Sequence, residues 1–201
     1  MNILLLSTAN DLFWLGRYMQ RAMKIQARLF IHKDIEVRQY LALLGITPPT
    51  DYPDQPEAFV LELLLPHYFE MINNNVQTIR GVIDKDAYQL FTDVTRLRQN
   101  GSLRAACFEL YACRQAMNAQ DGWVKIFWKL GEAVEKLDEH IRFGDCRARH
   151  FSNVASLATA LPLGTAWDNL KQPAQAMVFT MDKSLFPQWV AQLDHIFEVG
   201  I

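Results

Sequence analysis

The chain has 201 residues, of which 50% are hydrophobic and 21% are charged, and its formal net charge is −2. A chain of this length and apolar content can bury a sizeable core, which argues against intrinsic disorder. The balanced charge argues against a general nucleic-acid-binding protein, because such proteins need a basic excess to neutralise phosphates.

The first residues, MNILLLSTAND, contain a short apolar run that no basic segment precedes. They lack the pattern of a secretory signal peptide, and no stretch reaches the roughly 20 apolar residues that span a bilayer. The cysteines, Cys107, Cys113 and Cys146, form an odd and sparse set, which is typical of reduced thiols. We therefore expect a cytoplasmic protein that makes no contact with a membrane.

The apolar pattern predicts helices along the whole chain. The first covers residues 8–44, with Ser7 or Thr8 as N-cap and Gly45 as its end. Four prolines within ten residues make 47–56 a loop. Further helices are predicted at 57–65, 67–80, 84–98, 102–117, 123–143, near 150–160, and at 184–198. Because no sustained alternation of apolar and polar residues predicts a strand, we expect an all-α fold, a single-domain bundle of about seven to nine helices over residues 1–201.

One predicted helix carries charges of a single sign. Residues 13–29, FWLGRYMQRAMKIQARL, hold four cations and no acid. Arg17, Arg21, Lys24 and Arg28 follow spacings of four, three and four, so a helix stacks them on one face. We call these four residues the cationic stripe.

A second segment offers the opposite charge. Residues 15–21, LGRYMQR, and 130–136, LGEAVEK, share a Leu-Gly step with aromatic residues close before it. In the second copy, Glu132, Glu135 and Glu139 share a helical face; we call them the acidic stripe. We predict that the two helices pack with Gly16 and Gly131 at their closest approach, so that the stripes form an interhelical ion-pair network. Such a network specifies which helices pair more than it stabilises them, because desolvation offsets the Coulomb gain.

These segments resemble a known family. LSTANDLFWLGRYMQRAMKIQAR resembles the first signature of the alpha-E family, helical bacterial proteins with a recurrent Glu-Arg pair, and the matching residues are Trp14, Gly16, Arg17, Tyr18, Arg21, Ala22, Ala27 and Arg28. DGWVKIFWKLGEAVEKLDEHIR resembles the second signature at Gly122, Trp123, Leu130, Gly131, Glu135 and Asp138. A central match keeps Asn75 and Arg80. The resemblance covers about residues 7–143, and it predicts a short, divergent member with divergent C-terminal helices over 144–201.

The departures from the family pattern concern charge. Asn10 and Gln20 replace two family glutamates, Glu132 replaces a usual arginine, and Lys136 replaces the arginine of a Glu-Arg pair. These changes separate the charges between two helices instead of removing them, which favours a retained structural interaction over a retained chemical step. Gln20 in particular cannot act as a general base.

The resemblance also implies a functional setting. Alpha-E proteins are typically encoded beside circularly permuted ATP-grasp ligase-like proteins and have been linked to peptide synthesis or modification. This implies a non-catalytic accessory or scaffold protein with an ATP-grasp-like partner, a possible peptide substrate and no cofactor. The alternative is an enzyme component that binds a carboxylate or phosphate of a peptide or nucleotide through Arg17 and Arg21. The two hypotheses differ in whether those arginines are paired internally.

Other candidate chemistry is incomplete. The acidic stripe lacks the Glu-x-x-His pair with which di-iron helical bundles hold metal. The segment CRARH, residues 146–150, has too few ligands for structural zinc and no third group to orient a Cys146–His150 nucleophile and base. The remaining histidines, His32, His67 and His195, stand alone. We therefore predict no catalytic residue and no metal site.

Overall fold

The structure, a computed structural model, describes residues 5–30, 36–52 and 55–199. Every regular element in these ranges is a helix, which confirms the all-α prediction. Nine helices lie there: α1 (Leu6–Phe30), α2 (Val37–Leu43), α3 (Pro56–Phe59, Val60–Leu64 and Leu65–Ile79 in one run), α4 (Lys85–Gln99), α5 (Leu103–Ala119), α6 (Gly122–Phe143), α7 (Ala148–Thr159), α8 (Asp168–Thr180) and α9 (Leu185–Val199). None of these helices is both long and apolar enough to cross a membrane.

The chain folds into two compact units, so the predicted single-domain organisation stays a prediction. The first unit comprises Met1–Arg17 and Asp121–Ile201, and the second comprises Tyr18–Gln120. Helix α1 therefore contributes its first half to one unit and its second half to the other.

The boundaries of α1 differ from the prediction. It begins at Leu6, so Ser7 and Thr8 lie inside its first turn instead of capping it. It is described to Phe30, and residues 31–35, which the prediction placed in the same helix, lie outside the described residues, as does His32. Helix α2 ends at Leu43, and Gly45 follows with a φ of 73°, the left-handed conformation that glycine adopts without strain. Gly45 is thus the predicted stop.

Helix α3 joins two segments that the sequence predicted separately. Its middle, Val60–Leu64, is a π-helical turn. The apolar periodicity shifts at this turn, because a π-helical turn adds a residue to the helical repeat. The Tyr52 hydroxyl donates to Glu62 of this turn at 2.8 Å and ties the preceding proline-rich loop to it.

In the second unit, α4 and α5 form a hairpin. The turn between them contains Gly101, whose φ is 75°. At the open end, Gln120 Oε1 accepts from the Asp84 backbone N–H at 3.1 Å, and Gln120 Nε2 donates to Asp84 Oδ2 at 3.0 Å. The side chain of Gln120 is buried. The two helices are therefore fastened at both ends.

The C-terminal helices belong to the first unit. Helix α8 was missed by the sequence analysis; it contains Pro173, and its buried residues Leu170, Ala174 and Met177 give only a short apolar pattern. Helix α9 corresponds to the helix predicted at 184–198, and it docks on α8: Trp189, which is 2% exposed, donates from Nε1 to the Leu170 carbonyl at 2.9 Å.

Four aromatic rings from different helices and loops of the first unit pack together. The Phe197 ring lies 5.4 Å from Phe13, 6.5 Å from Phe127 and 5.2 Å from Trp167, centroid to centroid. These spacings are typical of packed aromatic pairs. The N-terminal parts of α1 and α6 are thus held against α9.

Candidate functional site

The two motif helices cross at their glycines. A β-carbon on Gly16 would lie 2.9 Å from the Glu132 nitrogen and closer still to the Trp128 carbonyl oxygen. A β-carbon on Gly131 would fall on the Phe13 carbonyl of the opposing helix. Backbone therefore packs directly on backbone, a contact that only glycine at both positions permits. This confirms the predicted packing of the two Leu-Gly helices.

An ion pair spans this crossing. Arg17 follows Gly16, and Glu135 lies one turn beyond Gly131, so the glycine contact brings the two side chains together. Arg17 Nε donates to Glu135 Oε2 at 3.1 Å, and the side chains are 13% and 4% exposed, respectively. The hydrogen bond is charge-assisted and nearly removed from water.

Aromatic rings hold the guanidinium in place. The Arg17 Cζ lies 4.8 Å from the Trp14 ring centroid and 5.8 Å from that of Phe13. Both are within the range of a cation–π attraction. The rings restrict the rotamers of Arg17 and so fix the direction in which its remaining N–H groups point.

Glu132 finds its counter-charges on its own helix. Lys129 Nζ lies 2.9 Å from Glu132 Oε2, and Lys136 Nζ lies 3.0 Å from Oε1. The glutamate side chain is 4% exposed, whereas each lysine reaches solvent. Sequence reasoning missed these lysines, although spacings of three and four on a helix are a usable signal.

The rest of the two stripes is divided between the units. Arg21, Lys24 and Arg28 lie half-buried on α1 in the second unit, where the Arg28 guanidinium is 5.4 Å from the Tyr40 ring centroid. Glu139 is buried on α6 in the first unit. The structure thus pairs Arg17 with Glu135, and the wider ion-pair network stays a prediction.

A second carboxyl group, that of Asp194, lies within electrostatic reach of Arg17 and was missed by the sequence analysis. Burial raises the pKa of Asp194 on α9, and Arg17 opposes that rise. Asp194 directly follows the buried Leu193, so it stands at the edge of the packed face of α9. The surroundings of Arg17 therefore hold more negative charge than the motif alone predicts.

The indole of Trp128 is the least satisfied group near the crossing. Its ring is 1% exposed, and its Nε1 has no hydrogen-bond partner in the described part of the chain. Lys129 Nζ lies 4.7 Å from its ring centroid. Trp123, five residues earlier, is only half-buried, as expected for residues on different helical faces.

The other candidates take structural positions. No three His, Cys, Asp or Glu side chains of the described ranges form a group that could hold a metal ion. Burial raises the pKa of Cys107 and of Cys113 to about 12, so both thiols are protonated at neutral pH. In the CRARH segment, His150 Nδ1 accepts from the Arg147 backbone N–H at 3.2 Å, and Arg149 Nε lies 3.1 Å from His150 Nε2.

A comparison with protein families gives a match over most of the chain. Residues 4–176 match the family Alpha-E, described as a predicted alpha-helical domain with a conserved ER motif. The match runs beyond residue 143, where the sequence analysis ended the resemblance, and it includes α7 and most of α8. No curated protein and no solved structure matches the chain.

Proposed function

Since the chain belongs to the Alpha-E family, we propose that it is a non-catalytic accessory protein for an ATP-grasp-type system that synthesises or modifies peptides. Its partner in this proposal is an ATP-grasp-like protein, and its task is to scaffold that enzyme or present a peptide to it. It needs no cofactor of its own for this task.

The observation that carries the proposal is the use of the motif residues in packing. The pair that stands for Glu-Arg in the second copy is Glu135–Lys136, and both side chains are engaged: Glu135 with Arg17, and Lys136 with Glu132. In the first copy, Gln20 replaces the acid and is buried. Carboxylates held in ion pairs at 4% exposure are poorly placed to act as bases or ligands.

The packed face of α9 is not available to a partner, because Trp189, Leu193 and Phe197 are buried inside the first unit. The large apolar side chains that reach solvent include Leu163, 83% exposed, and Phe179, 84% exposed. Exposed aromatic and aliphatic side chains of this kind serve as anchors in protein interfaces.

A second function is favoured by one specific observation. Arg17 uses only Nε in its ion pair, and within the described ranges no acceptor hydrogen-bonds to its two terminal nitrogens. A guanidinium with two parallel donors left over suits bidentate binding of a carboxylate or phosphate. On this alternative, Arg17 binds an anionic group of a peptide or nucleotide in an enzyme component.

Reconstitution with an ATP-grasp-like protein, the partner proposed here, distinguishes the two functions. The purified chain and the partner are assayed for ADP release with peptide, separately and mixed, and their co-elution is measured by size-exclusion chromatography. We expect turnover to rise in the mixture and the two proteins to co-elute.

Variants then separate binding from folding. Arg17→Gln is compared with Arg96→Gln, a change in an exposed helical pair. Turnover by the isolated chain, lost in Arg17→Gln while the circular dichroism is unchanged, would overturn the accessory role and establish the enzymatic one. Separate elution together with unchanged partner activity would exclude the proposed partner.

A further inference from the structure

The turn between α6 and α7 carries a histidine pair. His140 lies in the last turn of α6 and His150 in the first turn of α7. Their rings are stacked, with 3.8 Å between centroids and 10° between planes. Gly144, with a φ of 73°, ends α6 in the left-handed conformation. The chain reverses there and brings the two imidazoles face to face.

The His150 side chain caps α7, the helix in whose first turn it lies. Its Nδ1 accepts a hydrogen bond from the Arg147 backbone N–H at 3.2 Å, and its own backbone N–H donates to the Arg147 carbonyl at 2.9 Å. The first amides of a helix have no partner inside it, so a reciprocal pair of this kind stabilises the first turn. Nδ1 accepts only while it carries no proton.

The charges around His150 are mostly positive. His140 faces it from α6, and Arg147 and Arg149 face it from its own end of α7, with Arg149 Nε 3.1 Å from His150 Nε2. Asp145 in the turn is the opposing acid, and it already accepts from His140 Nδ1 at 2.8 Å. Lys183 adds a further cation beside the neighbouring Cys146. Protonation of His150 thus adds a positive charge next to these cations.

Protonation also breaks the hydrogen bond at Nδ1. A neutral imidazole has one acceptor nitrogen, which is Nδ1 in the capped state, and the cation has none. In the cation, Nδ1–H points at the Arg147 N–H. The cap of α7 is therefore lost when His150 gains a proton.

The pKa shift of His150 acts in the same direction as these contacts, because it disfavours the protonated form in the folded protein. Burial, and then the charge of His140, lower the pKa of His150 below its ordinary value of 6.5. Because the folded value lies below the unfolded one, the unfolded chain binds more protons, so stability rises with pH. The contribution is fully present above the unfolded value and is lost as the pH falls. The hydrogen bond from His140 lowers the pKa of Asp145, so that carboxylate keeps its charge in the same range.

We propose that the α6–α7 turn is a pH-sensitive switch, in which protonation of His150 removes the cap of α7 and opens its first turn on acidification. The switch is built into the first unit and does not depend on the accessory role proposed above. It gives this turn a capped state with neutral His150 and an uncapped state with protonated His150.

Amide hydrogen exchange of the full chain tests the switch. Protection of the first-turn amides of α7, corrected for intrinsic exchange, is compared at about pH 8 and about pH 5. We expect protection to fall by about 2- to 30-fold, the range that loss of a helix cap spans. His150→Gln should abolish this pH dependence, and His195→Gln, an exposed histidine of α9, should retain it.

A measurement on the unaltered protein keeps the proposal falsifiable if a variant folds poorly. An NMR titration of the His150 imidazole should give a pKa below the ordinary value, together with shifts in the amide signals of the same turn. A pKa at or above the ordinary value would overturn the proposal. So would protection that is equal at both pH values, or a pH response that persists in His150→Gln.

Discussion

The crossing of α1 and α6 and the hairpin of α4 and α5 both join two helices, but by different means. The hairpin is local and is closed by a short turn, and its ion pair, Arg96 to Asp93 at 2.8 Å, lies within one helix with Arg96 70% exposed. At the crossing, Arg17 and Glu135 are 118 residues apart in the sequence and pair at 3.1 Å with Glu135 4% exposed.

The ion pair between Arg17 and Glu135 has the longer N···O distance, but it contributes more to the stability of the fold. Water screens the exposed pair, and exposed pairs are worth about 0–1 kcal/mol. At the crossing the partners are desolvated, so removing one leaves an uncompensated charge. Burial, and not the N···O distance, therefore ranks the contributions of these two ion pairs.

Gly131→Ala should have the largest effect. Its β-carbon would fall on the Phe13 carbonyl, so the helices must separate along the whole crossing. We expect a loss of about 4 kcal/mol or more in the free energy of unfolding, at the upper end for single substitutions, measured by urea denaturation. Gly81→Ala is the matched control, because nothing lies within 4 Å of its β-carbon position. Equal unfolding free energies for the two variants would contradict the close crossing.

Arg17→Ala should have the next largest effect. It leaves Glu135 buried without its arginine, and breaking a buried pair costs about 3 kcal/mol. Arg96→Ala should cost no more than about 1 kcal/mol. In a double-mutant cycle, Glu135→Ala should cost much less in the Arg17→Ala background than alone. Additive effects would show that the two side chains stabilise the fold independently.

The features of this structure that the sequence predicts are those that a local residue pattern encodes. The repeated Leu-Gly step encodes the crossing, because two helical glycines with flanking aromatic residues mark a close backbone contact. The Arg17–Glu135 pair then follows from register, since each residue stands at a fixed offset from its glycine. These are the features that a linear pattern can carry.

Other features depend on tertiary packing, which the sequence pattern does not determine. Glu132 has possible partners on both its own helix and another, and only the packed geometry shows that Lys129 and Lys136 reach it. Helix α8 contains Pro173, whose intrinsic preference opposes a helix, and tertiary packing of Leu170 and Met177 overrides that preference. Asp194 comes near Arg17 only because α9 folds back on the first unit.

Gln120→Ala tests the hairpin instead of the crossing. The substitution removes the buried amide that bonds the Asp84 N–H and carboxylate, leaving the start of α4 without these contacts. We expect a loss of about 1–2 kcal/mol in the free energy of unfolding, less than for Arg17→Ala. Gln115→Ala, an exposed glutamine of α5, the helix that Gln120 directly follows, should change it by less than about 0.5 kcal/mol. A loss for Gln120→Ala as small as that for Gln115→Ala would contradict the fastening role.

Asp182→Asn should have the smallest effect, and its pH dependence has a definite sign. Asp182 Oδ1 accepts from the Ser184 backbone N–H at 2.8 Å and from the Ser184 hydroxyl at 2.7 Å, just before α9 begins. These hydrogen bonds lower the pKa of Asp182, so its stabilising contribution is present above the unfolded value and is lost as the pH falls. We expect Asp182→Asn to lower Tm slightly at about pH 7, and the difference from the parent to vanish at about pH 2.

Asp121→Asn, at the N-cap of α6 without a side-chain cap hydrogen bond, is the control and should leave Tm unchanged. A Tm difference for Asp182→Asn that is the same at both pH values would show that shape, and not the charge of the carboxylate, holds this turn.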